Sequence, residues 1–172
     1  MLGSSLGLVS CQSTPQVPGS NTLNSFYYDG EPSLSGDGRW LAFVSERTGR
    51  SELRLYDLRN RRFVDLPQLA DDSAIAQSPS LSRTGRYLAY LANRDGRPQI
   101  ILIDRITRES TILTKNYRGW LRNPQLSPDG RYVWFETSRR GQWDIEMLDR
   151  GPDIEPDLPE GVTVTPPPDA PN

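Results

Sequence analysis

The stretch Pro124-Gln125-Leu126-Ser127-Pro128-Asp129-Gly130-Arg131-Tyr132-Val133-Trp134-Phe135 decides the fold of this 172-residue chain, because its pattern occurs three times. Pro32-Ser33-Leu34-Ser35 and Pro79-Ser80-Leu81-Ser82 open the earlier copies, spaced by 47 and then 45 residues. The copies align without a gap over 26 positions. Gly38, Gly85 and Gly130 fall in register, each followed by an arginine (Arg39, Arg86, Arg131). Asp57, Asp104 and Asp149 close the aligned region. Self-similarity at this period marks stacked supersecondary units, each too small to bury its apolar surface alone.

Each unit reads as an antiparallel meander. Asp37-Gly38, Thr84-Gly85 and Asp129-Gly130 are turn pairs in which glycine supplies a positive φ, as do Thr48-Gly49, Asp95-Gly96 and Arg140-Gly141. The strands between them, WLAFVSE (40–46), YLAYLAN (87–93) and YVWFETS (132–138), are apolar or aromatic on both faces. Trp40, Ala42 and Val44 lie on one side and Leu41 and Phe43 on the other, the pattern of a sheet buried between two neighbours. A further strand follows (53–58, 100–105, 145–150), and then an outer one at 63–66 and 111–113. Inner strands are expected just before each Pro-Ser-Leu-Ser. Four strands per 45-odd residues make a propeller blade. The expected fold is all-β: a partial β-propeller of three four-stranded antiparallel blades at about 26–67, 73–114 and 118–150, the third incomplete because Asp149-Arg150 runs into Gly151-Pro152.

At these residues the chain resembles the TolB-like propeller repeat, P-x-[LW]-S-P-D-G-R-x-[LIV]-[AV]-[FY], with 124–131 the nearest copy. Units one and two depart at Gly36 and Arg83, where the pattern has proline, and at Thr84, where it has aspartate. The resemblance covers residues 27–150 and implies a six-bladed ring, of which three blades are supplied here. A half ring leaves two open faces. Dimerisation across a two-fold axis would close them, a protein partner would cover them, or the fold is a marginal relic. The segment 23–28, with Phe26, Tyr27 and Tyr28, offers a strand for blade three, from the same chain or from a dimer mate.

The ends differ in kind. Residues 1–11 are small, apolar and uncharged and stop at the only cysteine. Leu8-Val9-Ser10-Cys11 resembles the end of a lipoprotein signal peptide, which implies lipidation of Cys11 and a membrane anchor for a soluble domain. Residues 12–25 read as a flexible linker. Residues 151–172 hold seven prolines, five acids and no base, and are expected to form a disordered acidic Pro-rich tail.

Composition excludes several chemistries. There is no histidine, which removes Ser-His-Asp and Cys-His catalysis and imidazole-ligated zinc. All 20 basic residues lie between 31 and 150, giving that region a net charge of +4, too dilute for nucleic-acid binding. No calcium loop, P-loop, G-x-G-x-x-G or G-x-S-x-G occurs, so no catalytic, cofactor or metal residues are expected. Asp71-Asp72 with Glu136 carries no geometry in sequence. Asp57, Asp104 and Asp149 read as acceptors for backbone N–H groups of the next turn, and Arg39, Arg86 and Arg131 as pairing along the blade edge.

Tyr117, Trp120 and Arg122, ahead of the third inner strand, are the candidate partner contact, because aromatics and arginine dominate binding hot spots. The functional expectation is a non-enzymatic protein-binding scaffold, lipid-anchored on the periplasmic or cell-surface side of a bacterial membrane. The resemblance implies an envelope protein, of the Pal-like peptidoglycan-associated lipoprotein type, as partner. The alternative is a carbohydrate-binding module or a half-propeller accessory to a hydrolase.

Overall fold

A computed structural model describes residue 23 and residues 25–69, 75–94, 96–159 and 161–162. The Cys11 motif, most of the linker, Asp71-Asp72 and the tail beyond 162 lie outside the described residues. Three antiparallel sheets follow one another in meander order. The first contains β1 (Asp29–Leu34), β2 (Trp40–Ser45), β3 (Glu52–Asp57) and β4 (Arg62–Val64). The second contains β5 (Ile75–Leu81), β6 (Tyr87–Arg94), β7 (Arg97–Asp104) and β8 (Glu109–Ile112). Among the described residues the third contains β9 (Leu121–Leu126), β10 (Tyr132–Thr137) and β11 (Asp144–Asp149).

The inner strands do not end before the Pro-Ser-Leu-Ser segments, as expected; they run through them. The register shifts between Gly30 and Ser33, between Gln77 and Ser80, and between the partners of Trp134 and Glu136. Each shift is a bulge that takes a proline, which has no N–H to give, out of the ladder. The residue before each proline pays for this with a left-handed backbone: Glu31, Ser78 and Asn123 have φ of 53°, 48° and 51°.

The blades stack face to face. Trp40, Ala42, Leu53 and Leu55 of blade one meet Leu88, Tyr90, Ile101 and Ile103 of blade two. On its other face blade two sends Leu91 and Ile100 against Val133 and Phe135 of blade three. Each buried Leu or Ile in these joints contributes roughly 1.5–3 kcal/mol relative to exposure. Polar stitches set the spacing. Leu81 N–H donates to Ser33 Oγ at 3.1 Å and Leu126 N–H to Ser80 Oγ at 2.9 Å, so the same bond joins blade one to two and two to three. Asp37 N–H donates to the Arg83 carbonyl and Arg83 N–H to that of Pro128, both at 2.8 Å.

Two expectations are corrected. Residues 25–28 do not supply a strand to blade three of their own chain; Tyr28 accepts a bond from Glu46 N–H and continues along blade one. The tail is not solvated from residue 151. Residues 155–159 lie on the rim of blades two and three, and Asp157 is only 2% exposed. Charge repulsion among the acids is outweighed there by arginines and buried donors.

Candidate functional site

One rim of the partial propeller carries the three Gly turns and the turns after β3, β7 and β11. Its frame is an Arg–Asp pair repeated 18 residues apart. Arg39 meets Asp57 at 3.0 Å, Arg86 meets Asp104 at 2.9 Å and Arg131 meets Asp149 at 2.8 Å. Each aspartate also accepts backbone N–H groups of its own turn: Arg59 and Asn60 for Asp57, Ile106 and Thr107 for Asp104, Gly151 for Asp149. Burial pushes the Asp57 carboxyl up, but the Arg39 guanidinium and the Asn60 donors outweigh it and hold it at about 2. These acids are structural acceptors, as the sequence indicated.

Aromatic residues lock the blades at this rim. Trp40 of blade one lies over Gly85 of blade two, where an added Cβ would come within 2.6 Å of the indole. Tyr87 of blade two lies over Gly130 of blade three, where a Cβ would overlap its ring. The next blade caps each ring with an arginine. Arg105 stacks over Trp40 at 3.8 Å and donates to the Gly85 carbonyl at 2.6 Å; Arg150 stacks over Tyr87 at 4.3 Å and donates to the Gly130 carbonyl at 2.5 Å. Burial, with Arg39 nearby, pulls the Arg105 guanidinium down to about 10.

A cleft of about 720 Å³ opens beside this lock, lined by Arg39, Arg59, Arg83, Arg86, Arg105 and Trp40 and walled by residues 155–159. The wall is bound as a peptide ligand would be. Glu155 pairs with Arg86 at 2.9 Å and its carbonyl accepts from Tyr87 Oη at 2.6 Å. Asp157 N–H donates to the Asp129 carbonyl at 2.8 Å. The Asp157 carboxylate accepts from Ser82 Oγ at 2.5 Å, Thr84 N–H at 2.7 Å and Thr84 Oγ1. Burial lowers the Arg86 pKa and the bonds to Glu155 and Asp104 raise it; the bonds prevail, so this cation is firmly charged. Among the described residues Arg59, Arg83 and Arg105 have no carboxylate at ion-pair distance, and the cleft has cationic capacity beyond what the tail uses.

The residues singled out in sequence fall elsewhere, and they do not form one cluster. Tyr117 turns inward: its hydroxyl donates to Glu146 at 2.6 Å, lies 2.9 Å from Thr137 Oγ1, and its ring meets Phe135 edge-on at 5.6 Å. Trp120 is 57% exposed on the opposite rim, where its backbone bonds Ser138. Arg122 pairs with Glu136 at 2.6 Å and stacks on Trp143 at 3.9 Å, on the outer face of blade three. Cys11 lies outside the described residues. Sequence reasoning missed Arg105, Glu155 and Asp157. The signal for Asp157 was Thr84, the turn lacking its aspartate. No group of three Cys, Asp or Glu side chains able to hold a metal occurs among the described residues.

Comparison with known proteins agrees with the repeat. The family model described as the TolB beta propeller domain matches residues 19–172. The crystal structure of TolB from Acinetobacter baumannii superposes with a TM-score of 0.64 at 26% identity, over 77% of this chain and 32% of that one. A putative TolB from Agrobacterium tumefaciens gives 0.58 at 24% identity, over 73% of this chain and 44% of that one. A prolyl endopeptidase gives 0.54 at 17% identity, over 75% of this chain and 21% of that one, a likeness of fold alone. The chain thus spans less than half the length of these relatives. No curated protein matches it.

Proposed function

Because the chain belongs to the TolB beta propeller domain family, we propose that it is a non-catalytic protein-binding module of the bacterial cell envelope, reading acidic, extended segments of a partner at its arginine-lined rim. The observation that carries this reading is the seating of the chain's own Glu155-Pro156-Asp157 along the cleft through Arg86, Tyr87, Ser82 and Thr84. Arg59, Arg83 and Arg105 extend that recognition into the open part of the cleft. Cationic side chains flanking an aromatic ring favour carboxylate-bearing peptide, since guanidinium groups pair with carboxylates in a fixed geometry. A peptidoglycan-associated lipoprotein is the type of partner proposed, and Cys11 is the proposed lipid attachment point.

The test is binding of a fluorescent Asp/Glu-rich peptide, which must use the open part of the cleft beside the seated residues 155–159, to the full chain, followed by anisotropy. Binding that weakens with salt and falls at least tenfold in an Arg59→Glu, Arg83→Glu variant supports the reading. Equal binding by that variant, or equal affinity for a lysine-rich peptide, refutes it. For the anchor, Cys11→Ser is expected to move the protein from the membrane to the soluble fraction; unchanged fractionation removes the lipid claim.

A further inference from the structure

Each blade leaves a large apolar side chain exposed at the same place. Tyr28, Ile75 and Trp120 stand four residues before Pro32, Pro79 and Pro124, and are 52%, 50% and 57% exposed. They lie where the inner strands begin, on the rim opposite the arginine-lined cleft. The Tyr28 carbonyl accepts from Glu46 N–H at 3.0 Å, Ile75 pairs with Asn93, and the Trp120 carbonyl accepts from Ser138 N–H at 3.1 Å. Glu46, Asn93 and Ser138 are themselves aligned, each three residues before a turn glycine. Phe26 and Tyr27, beside Tyr28, are exposed as well. A single exposed apolar residue is ordinary; one kept in register through three repeats makes a surface.

The turns beside these residues are basic. Arg47, Arg94 and Arg139 stand two residues before the aligned glycines, and Arg50 and Arg97 one after. Arg118 lies two residues before Trp120, in a turn whose Gly119 packs on the Arg139 backbone. The described acids of this rim are engaged: Asp29 with Arg47 at 2.9 Å, Asp144 with Arg140 at 3.0 Å, and Glu46 as acceptor from Ser51 Oγ at 3.0 Å. Arg97 and Arg118 are exposed and, among the described residues, have no carboxylate at ion-pair distance. On the cleft rim the aromatic rings are packed instead, Trp40 under Arg105 and Tyr87 under Arg150, and the acids Glu155 and Asp157 are seated there. Exposed apolar groups interleaved with cations therefore mark one rim and not the other.

We propose that this second rim rests on a phospholipid bilayer with anionic headgroups, Tyr28, Ile75 and Trp120 entering the interfacial layer and Arg97 and Arg118 meeting the headgroup phosphates. Tyrosine and tryptophan rings settle at headgroup level, and basic side chains are drawn to an anionic leaflet. One apolar group per blade, spaced by cations, suits a bilayer surface better than it suits the contiguous apolar centre of a protein interface. The chain also enters the domain on this side: Arg47 donates to the Leu23 carbonyl, so residues 1–22 join the fold at this rim. In that orientation the arginine-lined cleft faces away from the bilayer, open to a partner. The proposal needs neither acylation of Cys11 nor a ligand in the cleft.

Co-sedimentation of the full Cys11→Ser chain with vesicles of phosphatidylcholine and phosphatidylglycerol in equal parts tests it, because the substitution removes the proposed anchor and leaves the rim to act alone. Binding is expected, weakening with salt and falling about tenfold or more on phosphatidylcholine alone. Tyr28→Ala with Trp120→Ala, and separately Arg97→Glu with Arg118→Glu, are each expected to weaken it by about tenfold or more. All four side chains are exposed, and an unchanged circular dichroism spectrum shows that these variants stay folded. Arg59→Glu with Arg83→Glu, on the cleft rim, is expected to leave vesicle binding unaltered. A chain that sediments with no vesicle, which would leave the rim to a protein partner, overturns the proposal. So does equal binding by the two rim variants, or loss of binding in the Arg59, Arg83 variant.

Discussion

Asp157 supplies to Thr84 the carboxylate that two of the three blade turns carry within themselves. In blades one and three the turn aspartate bonds the serine two residues before it and the N–H two residues after: Asp37 with Ser35 and Arg39, Asp129 with Ser127 and Arg131. In blade two Ser82 and Thr84 bond Asp157 instead, 73 residues beyond Thr84 in the chain. The repeat lost an acid at one position, and the segment after blade three restores it.

Removing that acid leaves buried donors unmatched. Asp157→Ala is expected to destabilise the fold by about 1.5–3 kcal/mol, the range for hydrogen bonds to a charged group. Thr84→Asp, by contrast, rebuilds the turn locally and sets two carboxylates against each other. It is expected to release residues 153–159, seen as faster amide hydrogen exchange there, while the exchange of β6 is unchanged. Protection of 153–159 in the Thr84→Asp variant would show that the tail is held by other contacts.

The inter-blade lock has its own signature in glycine substitutions. Gly130 and Gly141 have φ of 79° and 86°, so alanine pays a similar backbone cost of about 1–2 kcal/mol at either site. At Gly141 the new Cβ meets open space, but at Gly130 it runs into the Tyr87 ring. Gly130→Ala is therefore expected to cost about 1–3 kcal/mol more than Gly141→Ala, the typical penalty of overpacking. Chemical denaturation of the two variants measures the difference, and equal losses would mean that Tyr87 moves aside freely.

The fold was legible because the same 26 positions recur with glycines, arginines and aspartates in register, and three copies of one pattern constrain each other. The two-sided apolar character of residues 87–93 was enough to place β6 between two neighbouring blades. The bulges were not legible: a proline in a strand signals an edge or an irregularity, but the left-handed φ of Glu31, Ser78 and Asn123 depends on cross-strand register that sequence does not display. The rim site was hidden for a different reason. Asp157 lies in a segment whose local composition favours solvation, and only the three-dimensional proximity of the Thr84 turn holds it. Tyr117 drew attention as an aromatic beside Trp120 and Arg122, yet the strand pairing of β10 and β11 brings Thr137 and Glu146 to its hydroxyl.

Acid is expected to weaken the fold in a defined window. The folded-state Asp57 carboxyl sits at about 2, below its ordinary 3.8, so its contribution is complete above pH 3.8 and is lost as pH falls through about 2. Asp29, half-buried but held down by Arg47 and Ser25, and Asp149, held down by Arg131 and Gly151 N–H, also lie at about 2 and add in the same direction. Denaturant midpoints should hold between pH 6 and 4 and drop between pH 4 and 2. Asp57→Asn, which keeps an acceptor but not the charge, should lower stability at pH 6 and flatten the drop. A variant with an undiminished drop would assign it to the other acids held down by their partners, Asp29, Asp104, Asp129, Glu136, Asp144 and Asp149.

Tyr117 and Trp120 separate a structural role from a contact role. The Tyr117 hydroxyl, donating to Glu146 and near Thr137, loses its partners in Tyr117→Phe, and Glu146 keeps only Arg139, at 3.1 Å. Burial and Glu146 together push the tyrosine pKa up, so the donor proton is retained across the neutral range. The expected loss is about 1–2 kcal/mol, since the acceptor is charged. Trp120→Ala removes a largely exposed ring whose backbone, not its side chain, bonds Ser138, and is expected to change stability by less than about 0.5 kcal/mol. Thermal denaturation of both variants distinguishes the roles. A stable Tyr117→Phe with an unstable Trp120→Ala would reverse the assignment, making Trp120 the residue that covers the blade edge.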